Sequence, residues 1–246
     1  MDLLNEQLNI KESLKYIPPK KRFTFLSFQF PKLTRIDKSE NQSIRLYETP
    51  DGNRYPSVTT ITGQHGKQSI IEWRKRVGNA EANKIQSHTS GRGTLIHGWC
   101  ETYLKNDGFT YDLNNLKHCE FAEDMQNFLP YLEKIDNIIA LETPMFSHEL
   151  QCAGSVDCIG TYDNKMSVID FKTASRPKQK DYIQNYFMQT AAYAHMFFEI
   201  TKQKIRQTKL LILVDGGEVQ EFTENPEAHL EMFRFYRAKY RKERNI

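Results

Sequence analysis

Asp157, Asp170 and Lys172 are the residues whose types and spacing point most directly to chemistry. They sit in Ala153-Gly154-Ser155-Val156-Asp157-Cys158-Ile159-Gly160 and in Met166-Ser167-Val168-Ile169-Asp170-Phe171-Lys172-Thr173. Side chains alternate along a strand, so Asp170 and Lys172 share one face while Ile169 and Phe171 share the other. Asp157 lies 13 residues before Asp170, which leaves room for one strand, a tight turn at Asp163-Asn164-Lys165 and the return. Two carboxylates and one ammonium can then converge. Carboxylate oxygens suit hard divalent cations such as Mg2+, which activate water and offset the charge of a phosphoryl transition state. A lysine beside them can orient the water or neutralise developing charge. A surface salt bridge explains Asp157 alone, and Asp170-x-Lys172 nearly as well. All three in one hairpin, at the end of an apolar run, read as a site.

The elements that must position them follow from periodicity. Strands are expected over 141–150, 153–162, 166–172 and 209–215. Before them, Leu26, Phe28 and Phe30 alternate as in a short strand. Residues 44–62 read as a hairpin around Pro50-Asp51-Gly52-Asn53, with Tyr55 to Ile61 as its return. Helical spacing covers Ile70, Trp73, Val77 and Ala80 after a cap at Ser69. A second helix follows Gly91-Arg92-Gly93, with Leu95, Trp99 and Tyr103 on one stripe. A third spans 118–139, where Pro130 should kink or split it. Helices over 182–199, capped by Asp181, and 226–243 complete the order. This is an α/β or α+β domain with one central sheet.

Composition bounds the answer. The 246 residues are 39% hydrophobic and 12% aromatic with a net charge of +3, which excludes a disordered chain and a histone-like polycation. No apolar run approaches the ~18–20 residues of a membrane span. The four cysteines, Cys100, Cys119, Cys152 and Cys158, are too sparse for a disulfide scaffold, so buried reduced thiols are expected. His97-x-x-Cys100 and His118-Cys119 lack the second pair that a zinc site needs. No secretory core is visible, and Asp2, Glu6 and Glu12 are acids that a mitochondrial leader avoids. The expected setting is intracellular and cytoplasmic, phage or bacterial rather than mitochondrial.

The Asp…Asp-x-Lys hairpin resembles the PD-(D/E)XK nuclease superfamily. Gly93-Thr94-Leu95-Ile96-His97, Glu142-Thr143-Pro144-Met145-Phe146-Ser147, Gln189-Thr190-Ala191-Ala192-Tyr193 and Tyr55-Pro56-Ser57-Val58-Thr59 are similar to its RecB-type exonuclease branch, that of phage and mitochondrial genome-maintenance exonucleases. The likeness runs in order over roughly 45–200. Val156 stands where the superfamily's name has proline, and the first 40 residues match nothing in it. The resemblance implies a restriction-endonuclease-like α/β core over 44–246, with a central mixed sheet flanked by helices and an N-terminal arm or hairpin extension over 1–43. It implies that His97, Asp157 and Asp170 bind metal and that Lys172 is the catalytic lysine. Glu142 would bind metal through water, orient a ligand or serve as an ion-pair partner. The carbonyl of Phe171 often joins the metal site in the family. Gln189 would place the lysine or the DNA strand, from a helix face shared with Tyr186 and Tyr193.

Charge is unevenly spread. Lys172, Arg176, Lys178 and Lys180 crowd one segment and six cations the C-terminal run, while 112–149 holds eight acids against two lysines. The first segment suits a phosphate backbone. Trp73 with Arg74, Lys75 and Arg76 suits single-stranded DNA. Arg92 and Tyr193 join Arg74, Arg76, Arg176, Lys178 and Lys180 as candidate DNA contacts. The expected activity is a Mg2+-dependent DNA exonuclease acting on single strands or free ends, with Mn2+ as substitute and no organic cofactor. Its setting would be DNA replication, recombination or degradation, beside proteins of those processes. The alternatives are a structure-selective endonuclease on the same fold and a non-catalytic DNA-binding subunit.

Overall fold

The computed structural model describes residues 14–36 and 44–244. Parts of the expected N-terminal extension, 1–13 and 37–43, lie outside the described residues. At the centre is a five-stranded mixed sheet in the order β10-β9-β8-β7-β6. Its strands are β6 (Ile135–Ser147), β7 (Cys152–Tyr162), β8 (Lys165–Ala174), β9 (Gln207–Val214) and β10 (Val219–Glu224). All neighbours are antiparallel except β8 and β9, which are parallel because helix α5 (Gln184–Thr201) crosses between them. Helices α3 (Asn79–Leu104) and α4 (Leu116–Leu132) cover one face, and α5 and α6 (Glu227–Arg244) the other. Each face buries its own apolar cluster. Ile169 and Phe171 join Ile96, Phe128 and Leu211 on the first, and Val168 and Ile159 join Met188, Ala192 and Phe233 on the second.

The alternation expected for the hairpin holds, and Asp163 and Asn164 turn it with positive φ values of 48° and 62°. The β6–β7 ladder shifts register between Asp136 and Ala140. Gly160 faces that bulge, where a Cβ would fall 2.8 Å from the Asp136 carbonyl. The N-terminal segment seals the bulge. Ile138 donates to the Thr24 carbonyl and Leu26 to the Ile138 carbonyl, both at 2.8 Å. Lys21 pairs with Asp136 at 3.3 Å, and Phe23 is buried against Tyr103. These contacts occupy the edge of β6 around Ile135 and Ile138, which would otherwise present unpaired backbone. Among the described residues no helix is long and apolar enough to cross a membrane.

Several local expectations are corrected. No strand forms over Leu26–Phe30. Phe23 is the anchor, and Leu26 and Phe28 stay 45% and 41% exposed. The return of the 44–62 hairpin stops at β4 (Arg54–Pro56), which pairs with β3 (Leu46–Glu48) and through it β2 (Thr34–Ile36). Ser57 then accepts a 3.0 Å bond from the Thr60 amide and caps a short helix, α1 (Val58–Thr62). Helix α2 (Lys67–Val77) starts at Gly66 rather than Ser69. Helix α3 runs through both glycines at 91 and 93, because packing on β8 outweighs their low propensity. Pro130 sits in the last turn of α4, which ends at Leu132, so 135–139 is strand and not helix. Asp181 lies inside a 3-10 turn, Lys180–Ile183, rather than capping α5. Strands β1 (Leu14–Ile17), β5 (Phe109–Asp112) and β10 lacked a clear pattern, and β1 pairs with β5.

Arg92 is the largest correction. It is 3% exposed and binds Asp124 at 2.8 Å, Asp215 at 3.1 Å and the Leu213 carbonyl at 3.1 Å. It pins α3 to α4 and the end of β9, and cannot reach a phosphate backbone. Removing one member of a buried pair strands the other charge, so Arg92→Ala or Asp124→Ala should each cost about 3–5 kcal/mol. Replacing both with apolar residues of similar volume should cost less than either single change. Urea unfolding checks this, and single variants as stable as wild type would contradict it.

Candidate active site

The β7–β8 ladder pairs Tyr162 with Lys165 at the turn and runs to Cys158 with Ile169. Beyond that pair, a side chain takes over from the backbone. The Phe171 amide donates to Asp157 Oδ2 at 2.8 Å. The two strands thus part where Asp157 and Asp170 stand, and the gap holds the polar groups.

Three further elements deliver their side chains to this gap. On β6, Leu141 pairs with Cys158 and Thr143 with Val156, which sets Glu142 opposite Asp157. Helix α3 packs on β8 and brings His97 over the strand ends. His97 Nδ1 lies 3.7 Å from Asp157 Oδ2 and 3.9 Å from Glu142 Oε1. Among the described residues, His97, Glu142 and Asp157 form the group able to hold a metal ion, with ligand atoms within 4.8 Å of one another. Two carboxylates and an imidazole suit Mg2+ or Mn2+ better than a thiolate-seeking ion. The donor set therefore fits a hard divalent cation.

Helix α5 contributes from the opposite face. Gln189 Nε2 donates to Asp170 Oδ1 at 2.8 Å, and Lys172 forms an ion pair with Asp170 Oδ2. Lys172 also donates to the Phe171 carbonyl at 3.3 Å and lies 5.4 Å from the Tyr186 ring centroid. Asp170 was expected among the metal ligands. Its 2%-exposed carboxylate engages Lys172 and Gln189, next to the group formed by His97, Glu142 and Asp157. Gly154 makes room for this helix, since a Cβ there would fall 2.6 Å from the Tyr193 hydroxyl.

Electrostatics follow from burial and crowding. Burial opposes protonation of His97, but Asp157 and Glu142 outweigh it and hold its pKa above the ordinary value. Burial pushes the Asp170 carboxyl up, with Lys172 pulling against it. Burial likewise disfavours the Lys172 ammonium, yet Asp170 and Asp157 more than compensate and keep it protonated.

The site opens into a cavity of about 470 Å³ lined on one side by His97, Glu142, Asp157, Lys172 and Gln189. Arg35 and Arg45 line it too, from β2 and just before β3. Sequence reading missed both, because segments as short as Thr34-Arg35-Ile36 and Arg45-Leu46-Tyr47 carry no usable periodicity. Tyr193 lines the wall but is only 2% exposed, so it shapes the cavity and offers no stacking face. Arg74 and Arg76 lie on α2 and do not line the cavity. Arg74 binds Asn83 and, at 3.2 Å, Gln86. The run after β8 leads toward β10. Arg176 is exposed, the Lys178 amide donates to Gln220 at 2.7 Å, and Lys180 pairs with Glu224. The acids of 112–149 are partly spent on the fold, as Asp124 binds Arg92, Asp136 binds Lys21 and Glu149 binds Arg234. All four cysteines are free, three of them buried.

A model of the PD-(D/E)XK nuclease superfamily matches residues 86–244. Human mitochondrial genome maintenance exonuclease 1 is 28% identical over 173 residues, which are 65% of this chain and 49% of that protein. The mouse protein of the same name is 28% identical over 166 residues, covering 60% and 48%. The Xenopus tropicalis one is 35% identical over 81 residues, covering 29% and 23%. The chain spans about half the length of the curated mammalian relatives it matches. The matched span contains His97, Glu142, Asp157, Asp170, Lys172 and Gln189, and the chain belongs to the PD-(D/E)XK nuclease superfamily.

Proposed function

We propose that the chain is a divalent-metal-dependent DNA exonuclease that acts on free ends and prefers single strands. The observation that carries this reading is the meeting of His97, Glu142 and Asp157 with the Lys172–Asp170 pair at the mouth of one cavity. The relatives named as exonucleases support the choice of reaction over other nuclease types.

His97, Glu142 and Asp157 would hold Mg2+, or Mn2+ in its place, with Asp170 adjoining. The ion supplies Lewis acidity toward a phosphoryl oxygen and lowers the pKa of water. The remaining work belongs to the chain. Lys172 presents a fixed ammonium to the charge that develops on the phosphoryl group, and it needs no reorganisation because Asp170 already holds it. Gln189 keeps Asp170 turned toward Lys172. Arg35 and Arg45, which line the same cavity, suit the strand's phosphates through the chemistry of their guanidinium groups. Arg176 and Lys178 extend positive charge along the outer edge. The four free thiols fit a reducing, intracellular setting.

Asp170→Ala and Lys172→Ala should each abolish Mg2+-dependent release from end-labelled DNA while the far-UV circular dichroism stays that of wild type. Closed circular single-stranded DNA should survive wild-type enzyme that digests the linear form. Degradation of the circle would instead identify an endonuclease, and undiminished cleavage by Lys172→Ala would remove the lysine from the reaction.

His97 sets a pH dependence. A cation needs the neutral imidazole, whereas Asp157 and Glu142 favour the protonated ring and raise its pKa. Mn2+ affinity should therefore fall as pH drops through that raised pKa, and His97→Asn should bind weakly with a shallower slope. Without metal the sign reverses. The raised pKa stabilises the fold below the unfolded-state value, and this is lost as pH rises through the folded-state value. Calorimetric Mn2+ titrations at several pH values check the first effect, and affinity independent of pH would contradict it.

A further inference from the structure

Glu142 lies inside β6 but leaves the strand conformation. Its φ is +46°, in the left-handed region that a glutamate rarely adopts. Asn137 shares that φ at the bulge, but asparagine tolerates the region and the register shifts there. No such shift excuses Glu142. The pairs on either side, Leu141 with Cys158 and Thr143 with Val156, keep one register.

The neighbouring side chain explains how the conformation is held. Thr143 Oγ1 accepts from the Leu141 amide at 3.1 Å and donates to the Leu141 carbonyl at 3.0 Å. Both bonds reach back across Glu142, so the hydroxyl closes a small loop around that single residue. Pro144 follows directly, with a fixed φ and no amide hydrogen, and stiffens the chain on the other side. The outcome is a carboxylate 3.9 Å from His97 Nδ1 and within the group that also includes Asp157.

We infer that Thr143 is a positioning residue of the metal site, whose hydroxyl holds Glu142 in the left-handed backbone that turns its carboxylate onto His97 and Asp157. This rests on the reading of His97, Glu142 and Asp157 as metal ligands. The hydroxyl at position 143 both accepts from and donates to Leu141, whereas a methyl group in its place does neither. Serine can therefore replace it, and valine, of nearly the same shape, cannot.

The test is Mn2+ binding by isothermal titration calorimetry on the full chain, with metal-free melting followed by circular dichroism. Thr143→Val should weaken Mn2+ binding by roughly 10–100-fold, the loss typical when support for a metal ligand is removed. Thr143→Ser should stay within about twofold of wild type. A purely structural role would shift melting and leave the affinity of the folded protein alone. Thr143→Ala repeats the test should valine disturb packing. Glu142→Gln separates the two layers of the claim. If it loses Mn2+ binding while Thr143→Val and Thr143→Ala bind like wild type, the role of Thr143 is overturned. If Glu142→Gln binds like wild type, the metal-site reading falls, and the proposal with it.

Discussion

The hydrogen bond from the Phe171 amide to Asp157 Oδ2 is the constraint on which the site depends. An ionised acceptor makes it worth more than a neutral ladder bond, about 1.5–3 kcal/mol. Its geometric effect matters more than its energy. It closes the β7–β8 ladder with a carboxylate instead of a carbonyl, so the strands diverge without leaving the amide unpaired. Asp157 is fixed on one side of the gap. Phe171 is fixed on the other, and with it the flanking Asp170 and Lys172. The carboxylate oxygen that accepts this bond is also the one nearest His97, so the strand junction and the candidate metal site share an atom.

Around that junction the fold balances buried charge. Asp170 loses nearly all its hydration, and Lys172 and Gln189 replace the water on its two oxygens. Asp157 and Glu142 have the His97 imidazole beside them in the absence of metal, and they raise its pKa. Leaving a carboxylate as buried as that of Asp157 unpaired costs several kcal/mol, which a bound divalent cation would offset. The helices supply the scaffold for this balance. Helix α3 is tied down by Arg92 at the end of β9, one and a half turns before it presents His97. From helix α5, Gln189 reaches Asp170, and the Tyr193 hydroxyl takes the space that a side chain at residue 154 would fill.

The hairpin was legible because its signal is local. Period-two alternation, a two-residue turn and the spacing of Asp157 from Asp170 all lie within eighteen residues of chain, from Gly154 to Phe171. His97, Glu142 and Gln189 were found through ordered motifs rather than from their own surroundings, since nothing near His97 in sequence says that it will meet Asp157. Arg92 was misread because exposure cannot be inferred for an arginine flanked by glycines. Its partners, Asp124 and Asp215, lie 32 and 123 residues away. Ser57 was read as strand because Val58, Thr59 and Thr60 favour strands, while its capping bond to Thr60 decides otherwise. Arg35 and Arg45 reach the cavity through pairing of β2 with β3, a contact between short segments without periodicity. The left-handed backbone at Glu142 has no compositional mark, because the residue usually chosen for it is glycine.

Strand divergence at Asp157 and Phe171, with His97 and Glu142 beside it, would build a divalent-metal centre. Anomalous diffraction from crystals equilibrated with Mn2+ tests it most directly. A single strong peak is expected within coordination distance of His97, Glu142 and Asp157. No peak there at saturating Mn2+, or a peak at other side chains with these three left free, would contradict it.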